Sequence, residues 1–388
     1  MHIDIQKIFR IALTLVVVAA TTAATWQLAR VDWDLDHQER HGQDAGPSDL
    51  MRLRQLLGDR PLDGGAFRAL GDMWATSGDE AVAAGFYRTA ARREPRDPRV
   101  RVKLINFYLA RGDASAAVHD LDALLRISPD IGNPLLRRVL GSHNDAALRN
   151  ALANRLALDP PWRELLPIAL AATPDRVSAE ELLVVLSTRS PLRPSEVALR
   201  VSLLEQMDRP SDARNVWGYA LSSELQPLNG LVFDGGFEFG EGPEPYGWQL
   251  RSPVGAAVGL DTSRPAQGNS SLALLFEGRV VDFSGVFQDI VLEPGLYRLD
   301  VLAEVALVES NRPFAWTVAC RGTGMRIARL DLPARTHEWK SFTTLFEVPP
   351  SCPTQRLALV HEGRSFSERR LSGRMAFDAI EIHELQRR

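Results

Sequence analysis

The chain has 388 residues, 45% hydrophobic and 24% charged, which excludes a disordered or collagen-like chain and leaves room for two or three domains. A net charge of -4 and a pI near 6.1 exclude the broad basic surface that nucleic acid or an anionic bilayer face requires. Only Lys7, Lys103 and Lys340 are lysines among 45 basic residues, which reads as drift of Lys to Arg rather than selection for anion binding.

Residues 11–29 carry no charge. As a helix they rise about 28 Å, the thickness of a bilayer's hydrocarbon core. Lys7 and Arg10 precede them, and Asp32, Asp34 and Asp36 follow. The positive-inside rule puts residues 1–10 in the cytoplasm and the bulk of the chain across the membrane. Trp26 stands where an interfacial aromatic belongs. The competing reading is a signal peptide cleaved near Thr22 and Ala24. Either way the bulk is exported. Residues 30–49 are polar, with Gly42, Gly46 and Pro47, and read as a linker.

Residues 50–226 read as helices joined by short turns. Phe67, Leu70, Gly71, Trp74, Ala83, Tyr87, Ala90 and Pro95 fit the 34-residue tetratricopeptide pattern. Adding 34 gives Arg101, Leu104, Ile105, Tyr108, Ala117, Leu121, Leu124 and Pro129, most of which suit it. The turns Gly78-Asp79 and Gly112-Asp113 repeat too. Small residues at Gly71, Ala83, Ala90 and Ala117 would let paired helices approach, and neighbouring hairpins must stack to bury their apolar faces. After Pro129 the register is lost. Apolar spacing still predicts helices around Leu148–Leu156, 178–189 and 195–207, and one carrying Ala213, Trp217 and Ala220.

Near Gln226–Gly230 the periodicity changes to short β-rich runs. Strands are predicted at 271–276, 286–290, 296–301, 315–320 and 356–360, with a turn at Pro294-Gly295, and several short strands suggest a sandwich. The run opens with Asp234-Gly235-Gly236-Phe237-Glu238, reaches Gly247-Trp248, and closes with Phe377-Asp378-Ala379-Ile380. It resembles jelly-roll carbohydrate-binding modules, in which such a start and end are neighbouring strands. The pattern departs at Asp234, where the modules usually have Asn, and at Ala379, where they usually have Asp.

The expected fold is therefore multidomain α + β: a transmembrane helix (11–29), an α-helical tetratricopeptide-type solenoid (50–226) and a C-terminal antiparallel β-sandwich of jelly-roll type (228–388). The combination resembles exported tetratricopeptide proteins of bacterial exopolysaccharide assembly. That resemblance implies a single-pass inner-membrane protein with its bulk in the periplasm, an envelope protein partner held by the repeats, and polysaccharide contacted by the β-domain. A purely protein-binding assembly factor is the alternative.

The resemblance also implies Glu238 and Asp378 as holders of a structural calcium, for which oxygen ligands are suited. Capping of both carboxylates by backbone amides is the competing account. Tyr246, in the Gly/Pro/Glu-rich loop 240–247, is expected to be exposed and to stack on sugar. Trp248, Phe287, Trp316 and Trp339 are further aromatic candidates, with Trp248 and Trp316 reading as core. Arg251 and Gln288 are candidate hydrogen-bonding residues. Cys320 and Cys352 are the only cysteines. In an oxidising compartment they read as one disulfide, and otherwise as two buried thiols. The sequence contains no phosphate loop, zinc-protease helix or nucleophile elbow, so no enzyme activity is expected.

Overall fold

The computed structural model describes residues 47–141, 145–309, 312–333 and 336–387. The expected transmembrane segment and most of the expected linker lie outside the described residues, and none of the described helices is long and apolar enough to cross a membrane. The chain forms two compact units, one ending at Glu196 and one spanning Val197–Arg388. Among the described residues they hold eleven α-helices and two antiparallel sheets.

The first unit starts with α1 (Pro47–Asp59), α2 (Gly64–Thr76), α3 (Glu80–Arg93), α4 (Pro98–Ala110) and α5 (Ala114–Ile127). The starts of α2 and α4 differ by 98 − 64 = 34 residues, and those of α3 and α5 by 114 − 80 = 34. Aspartates at Asp63, Asp79, Asp97 and Asp113 cap these helices, each accepting a first-turn amide. The two turns are hydrogen-bonded alike. Asp79 N donates to Trp74 O (3.1 Å) and Asp113 N to Tyr108 O (2.9 Å). Gly78 and Gly112 have φ of 86° and 72°, a region glycine enters without penalty. Gly71 faces the Tyr87 ring so closely that an added Cβ would lie 2.5 Å from Cε1, so its small size is what lets α2 and α3 meet.

The unit continues through α6 (Pro129–Gly141), α7 (Ala146–Leu156), a 3-10 turn (Pro161–Leu165), α8 (Leu166–Ala171) and α9 (Arg176–Ser187). Two buried polar centres tie this part together. Asp122 accepts from Trp162 Nε1 (2.8 Å), Arg126 Nε (3.0 Å) and Arg155, and these donors hold its pKa low against the opposing effect of burial. Arg163 and Glu196, both buried, form a two-pronged pair at 2.7 Å for each prong.

The second unit opens with helices, not strands. α10 (Pro194–Gln206) enters it, α11 (Pro210–Tyr219) follows, and a 3-10 turn spans Gln226–Leu228. Val201, Leu204, Ala213 and Trp217 pack on Phe233 and Tyr246 of the β-rich region. The expected boundary at 226–228 is therefore displaced, because those two aromatics need the helical pair to leave water.

Ten strands follow: β1 (Gln249–Leu250), β2 (Ala256–Asp261), β3 (Ser271–Val280), β4 (Val286–Ile290), β5 (Gly295–Glu309), β6 (Phe314–Cys320), β7 (Arg326–Asp331), β8 (His337–Val348), β9 (Gln355–His361) and β10 (Arg370–Arg387). One sheet runs β1-β4-β9-β6-β7 and the other β2-β3-β10-β5-β8. The predicted strand runs all fall on strands. Trp248, Trp316, Phe237 and Phe377 form the aromatic centre between the sheets, with Trp248 and Trp316 ring centroids 5.8 Å apart.

The segment 234–238 is not a strand neighbouring β10, as the resemblance implied. It meets β10 at one backbone contact, where Ile380 N donates to Gly235 O (2.8 Å). A Cβ on Gly235 would lie 2.0 Å from Ile380 O, so only glycine fits.

Cys320 and Cys352 form a disulfide. It closes a loop across 32 positions, which in the chain-entropy account stabilises by about 3–4 kcal/mol. The double serine variant is expected to lose that much in urea unfolding. Oxidised and reduced protein with equal midpoints would refute it.

Candidate functional site

The sheet β1-β4-β9-β6-β7 turns alternate side chains away from the core. Val286, Ile290, Leu357, Leu359, Trp316, Val318 and Leu330 are in the core. The intervening residues therefore lie on the opposite face. The register sets Phe287 beside Ala358, Ala358 beside Thr317, and Thr317 beside Arg329. Val360 sits beside Ala315, and Arg356 beside both Asp289 and Ala319. The result is a trough. Ala319, Ala358 and Val360 make its half-buried small-residue floor, Ala315 and Thr317 beside them are buried, and longer side chains stand on both flanks. Phe287 and Arg329 are three strand spacings apart, about 14 Å.

The flanks are built from ion pairs. Asp289 takes Arg356 through two parallel bonds (2.7 and 3.0 Å) and Arg321 through one (2.9 Å). The Arg356 guanidinium lies 4.1 Å from the Phe287 ring centroid and Arg251 lies 5.8 Å from it. On the other flank Arg329 donates to Asp331 (2.7 Å) and Glu362 (2.8 Å), and Arg326 also binds Glu362. The hydrogen bond from Arg326 leads the effects that hold Glu362 below the usual carboxylate range. Such a surface offers guanidinium donors fixed in place and one aromatic face, the groups that bind sugar hydroxyls, sugar carboxylates and the apolar face of a pyranose.

Several expected site residues stand elsewhere. Tyr246 is 2% exposed, which corrects the expectation of a stacking residue in an open loop. Its ring packs edge-on against Trp217 (5.6 Å) and its hydroxyl donates to Glu205 (2.9 Å). Trp248 and Trp316 are wholly in the core, and Trp248 Nε1 donates to Asp234 O (3.0 Å). Gln288 is buried and serves backbone, accepting from Phe233 N (3.0 Å) and donating to Phe233 O (2.8 Å). Trp339 donates to Arg264 O (3.3 Å), outside the trough. Arg251 and Phe287 are the expected residues that the structure brings together there.

Sequence reasoning missed Asp289, Arg321 and Arg356, and it missed Phe366. Phe366 is 74% exposed, with Arg369 5.4 Å from its ring. It lies in the β9–β10 loop, which Glu362 ties to the trough. A lone aromatic in the polar run Glu362–Arg370 was the available signal.

Glu238 and Asp378 line a separate cavity of about 520 Å³ with Asp234 and Glu381. Asp378 Oδ2 accepts from Ala266 N (2.9 Å) and Gln267 N (2.8 Å), and Oδ1 from Ala379 N (2.7 Å). Glu238 accepts from Asn269 N (2.9 Å). Asp234 accepts from the amides of Glu238, Phe239 and Gly240. Backbone amides thus satisfy these carboxylates, and among the described residues no three His, Cys, Asp or Glu side chains are grouped to hold a metal ion. Glu238 and Asp378 thus take the amide-capped arrangement, the competing account to the calcium that the resemblance implied.

Burial pushes the Asp234 and Asp378 pKa values up, against those amides. The folded state therefore keeps protons that the unfolded chain releases above the ordinary value of 3.8. This contribution is complete below that value and is lost as pH rises through the raised ones. Wild type is expected to lose stability relative to Asp378→Asn as pH rises above the ordinary carboxylate value. A gap between their urea midpoints that does not change with pH would sink the idea.

The second unit is thus a two-sheet antiparallel sandwich with a polar, arginine-flanked trough on one sheet. No protein-family model matches the chain. It is 33% identical over 179 residues to cellulose synthase 2 operon protein C of Komagataeibacter xylinus, a match that covers 44% of this chain and 13% of that protein. The chain thus spans only a small part of that relative's length. Among solved structures, it is similar to the CBM22-1 xylan-binding domain of Xyn10C from Paenibacillus barcinonensis. Identity there is 16% and the TM-score 0.27, over 37% of this chain and 88% of that one. TmCBM61, solved with β-1,4-galactotriose, gives 15% identity and a TM-score of 0.30 over 40% and 99%.

Proposed function

We propose that this protein is a non-enzymatic, membrane-anchored periplasmic binding protein of exopolysaccharide assembly or export. In this reading the sandwich trough contacts glycan, and the helical unit, a tetratricopeptide-type repeat array, holds an envelope protein partner. The observation that carries it is the sequence similarity to cellulose synthase 2 operon protein C. The trough adds a site of suitable chemistry, with Phe287 for a sugar face and fixed guanidinium donors around it. The uncharged segment 11–29 supports the anchor.

Affinity electrophoresis of the full chain through gels containing the host's own exopolysaccharide tests the glycan reading. Retardation is expected, and Phe287→Ala is expected to remove most of it, because one stacked aromatic carries a large share of a weak interface. If no glycan slows the protein while the helical unit still captures an envelope protein, the purely protein-binding reading replaces this one. Release of reducing ends from the polysaccharide would make the protein an enzyme instead.

A further inference from the structure

Charge on the trough is unevenly placed. On the Arg329 flank, Arg326 and Arg329 meet Glu362 and Asp331, so guanidiniums and carboxylates balance. On the Phe287 flank, Arg356 and Arg321 share the single carboxylate of Asp289. Arg251, exposed beside the same ring, makes no ion pair among the described residues. Three guanidiniums therefore stand against one carboxylate around Phe287, on a chain whose net charge is -4. Composition does not explain that local excess.

The donors are also arranged. Asp289 is buried and holds Arg356 by Nε and Nη2, which leaves Nη1 without a role in that bidentate pair. The stacking of Arg356 on Phe287 fixes its plane. With Arg356 4.1 Å over the Phe287 ring and Arg251 5.8 Å from it, an acid group on a sugar at this end would meet guanidiniums.

We infer that the Phe287 end of the trough binds an anionic sugar residue, one bearing a carboxylate or a sulfate, within an acidic polysaccharide. This rests on the glycan reading above and narrows it. A neutral glucan satisfies the stacking face but leaves the excess positive charge unanswered. An acid group on the sugar meets it through charge-assisted hydrogen bonds, which are shorter and stronger than neutral ones.

The test is affinity electrophoresis of the full chain in four gels: a polyuronate (alginate), a sulfated glycan (dextran sulfate), a neutral β-glucan (hydroxyethyl cellulose) and a polyanion without sugar (polyglutamate). Retardation by alginate or dextran sulfate, but not by the β-glucan, is expected, and which of the two is stronger identifies the acid group. Raising salt should weaken it. Arg251→Gln should weaken it about tenfold, the loss expected for one charge-assisted bond. Arg356→Gln also removes contacts inside the sheet, so Arg251→Gln, at an exposed side chain, is the variant that decides. If the β-glucan retards the protein as strongly and Arg251→Gln changes nothing, the glycan reading stands and this inference falls. If polyglutamate retards it equally and Phe287→Ala has no effect, the contact is charge alone and the inference falls too. If no gel retards it, both fall.

Discussion

Replacing Trp217 by alanine is expected to destabilise the second unit by about 3–5 kcal/mol, the usual cost of removing a buried Trp from a packed site. Trp217 lies in α11, before the first strand, yet its neighbours belong to the β-rich region. Its ring packs edge-on against Phe233 (5.2 Å) and Tyr246 (5.6 Å), and Nε1 donates to Glu244 O (3.1 Å). Arg214 covers its outer face at 4.5 Å. The variant therefore opens a cavity and strands a carbonyl. Urea unfolding followed by the fluorescence of the remaining tryptophans measures the loss. The companion test compares fragments 194–388 and 228–388. The shorter one exposes Phe233 and Tyr246 and is expected to bind a hydrophobic dye and unfold at lower urea. Equal stability of the two fragments, together with a Trp217→Ala cost under about 1 kcal/mol, would show that the helices only rest on the sandwich.

A comparable loss is expected from Glu196→Ala in the first unit. Arg163 is nearly inaccessible. Its guanidinium is met by both Glu196 oxygens, by Ser190 Oγ (3.2 Å) and by the carbonyls of Leu156 (3.3 Å) and Pro191 (3.0 Å). The bonds to Glu196 lead the effects that raise the Arg163 pKa, so it cannot escape burial by losing its proton. Removing Glu196 leaves the buried cation only the exposed Asp159, 3.6 Å from Nη1, as counter-charge, a change expected to cost up to about 3–5 kcal/mol. Arg193 N, which donates to Glu196 (2.8 Å), loses its acceptor as well. Replacing both partners by apolar residues of similar size, as in Arg163→Met with Glu196→Leu, is expected to recover most of the loss, because the desolvation of both charges disappears with them. A double variant no more stable than the single one would show that the surrounding carbonyls, and not the pair, dominate.

Much of the architecture was legible because it is written in local chemistry. The aspartate caps and the Gly-Asp turns recur at a fixed spacing, so a single repeat announces the next. The strand 286–290 was legible for the same reason, since Val286, Gln288 and Ile290 point one way. β7 and β8 were not. Arg326, Arg329 and Asp331 interrupt the first, and much of the second is exposed and polar, so neither has an unbroken apolar stripe. The site was harder still. Tyr246 sits among turn residues and looks solvent-facing until α10 and α11 are laid over it. Arg356 reaches Asp289 across 67 positions, and no spacing rule connects a strand to the strand that sheet pairing sets beside it.

The sheet order has a consequence for how the sandwich comes into being. β10 follows the other nine strands in sequence, yet it lies in the middle of its sheet, bonded to β3 on one side and β5 on the other. Until it arrives, β3 and β5 each show an open edge able to pair with a foreign strand. Pairings between residues so far apart in the chain are slow to form. A nascent chain halted before Arg370 would hold that sheet as two unfinished halves. The sheet therefore stays open until β10 is made, so the sandwich can close only late in synthesis.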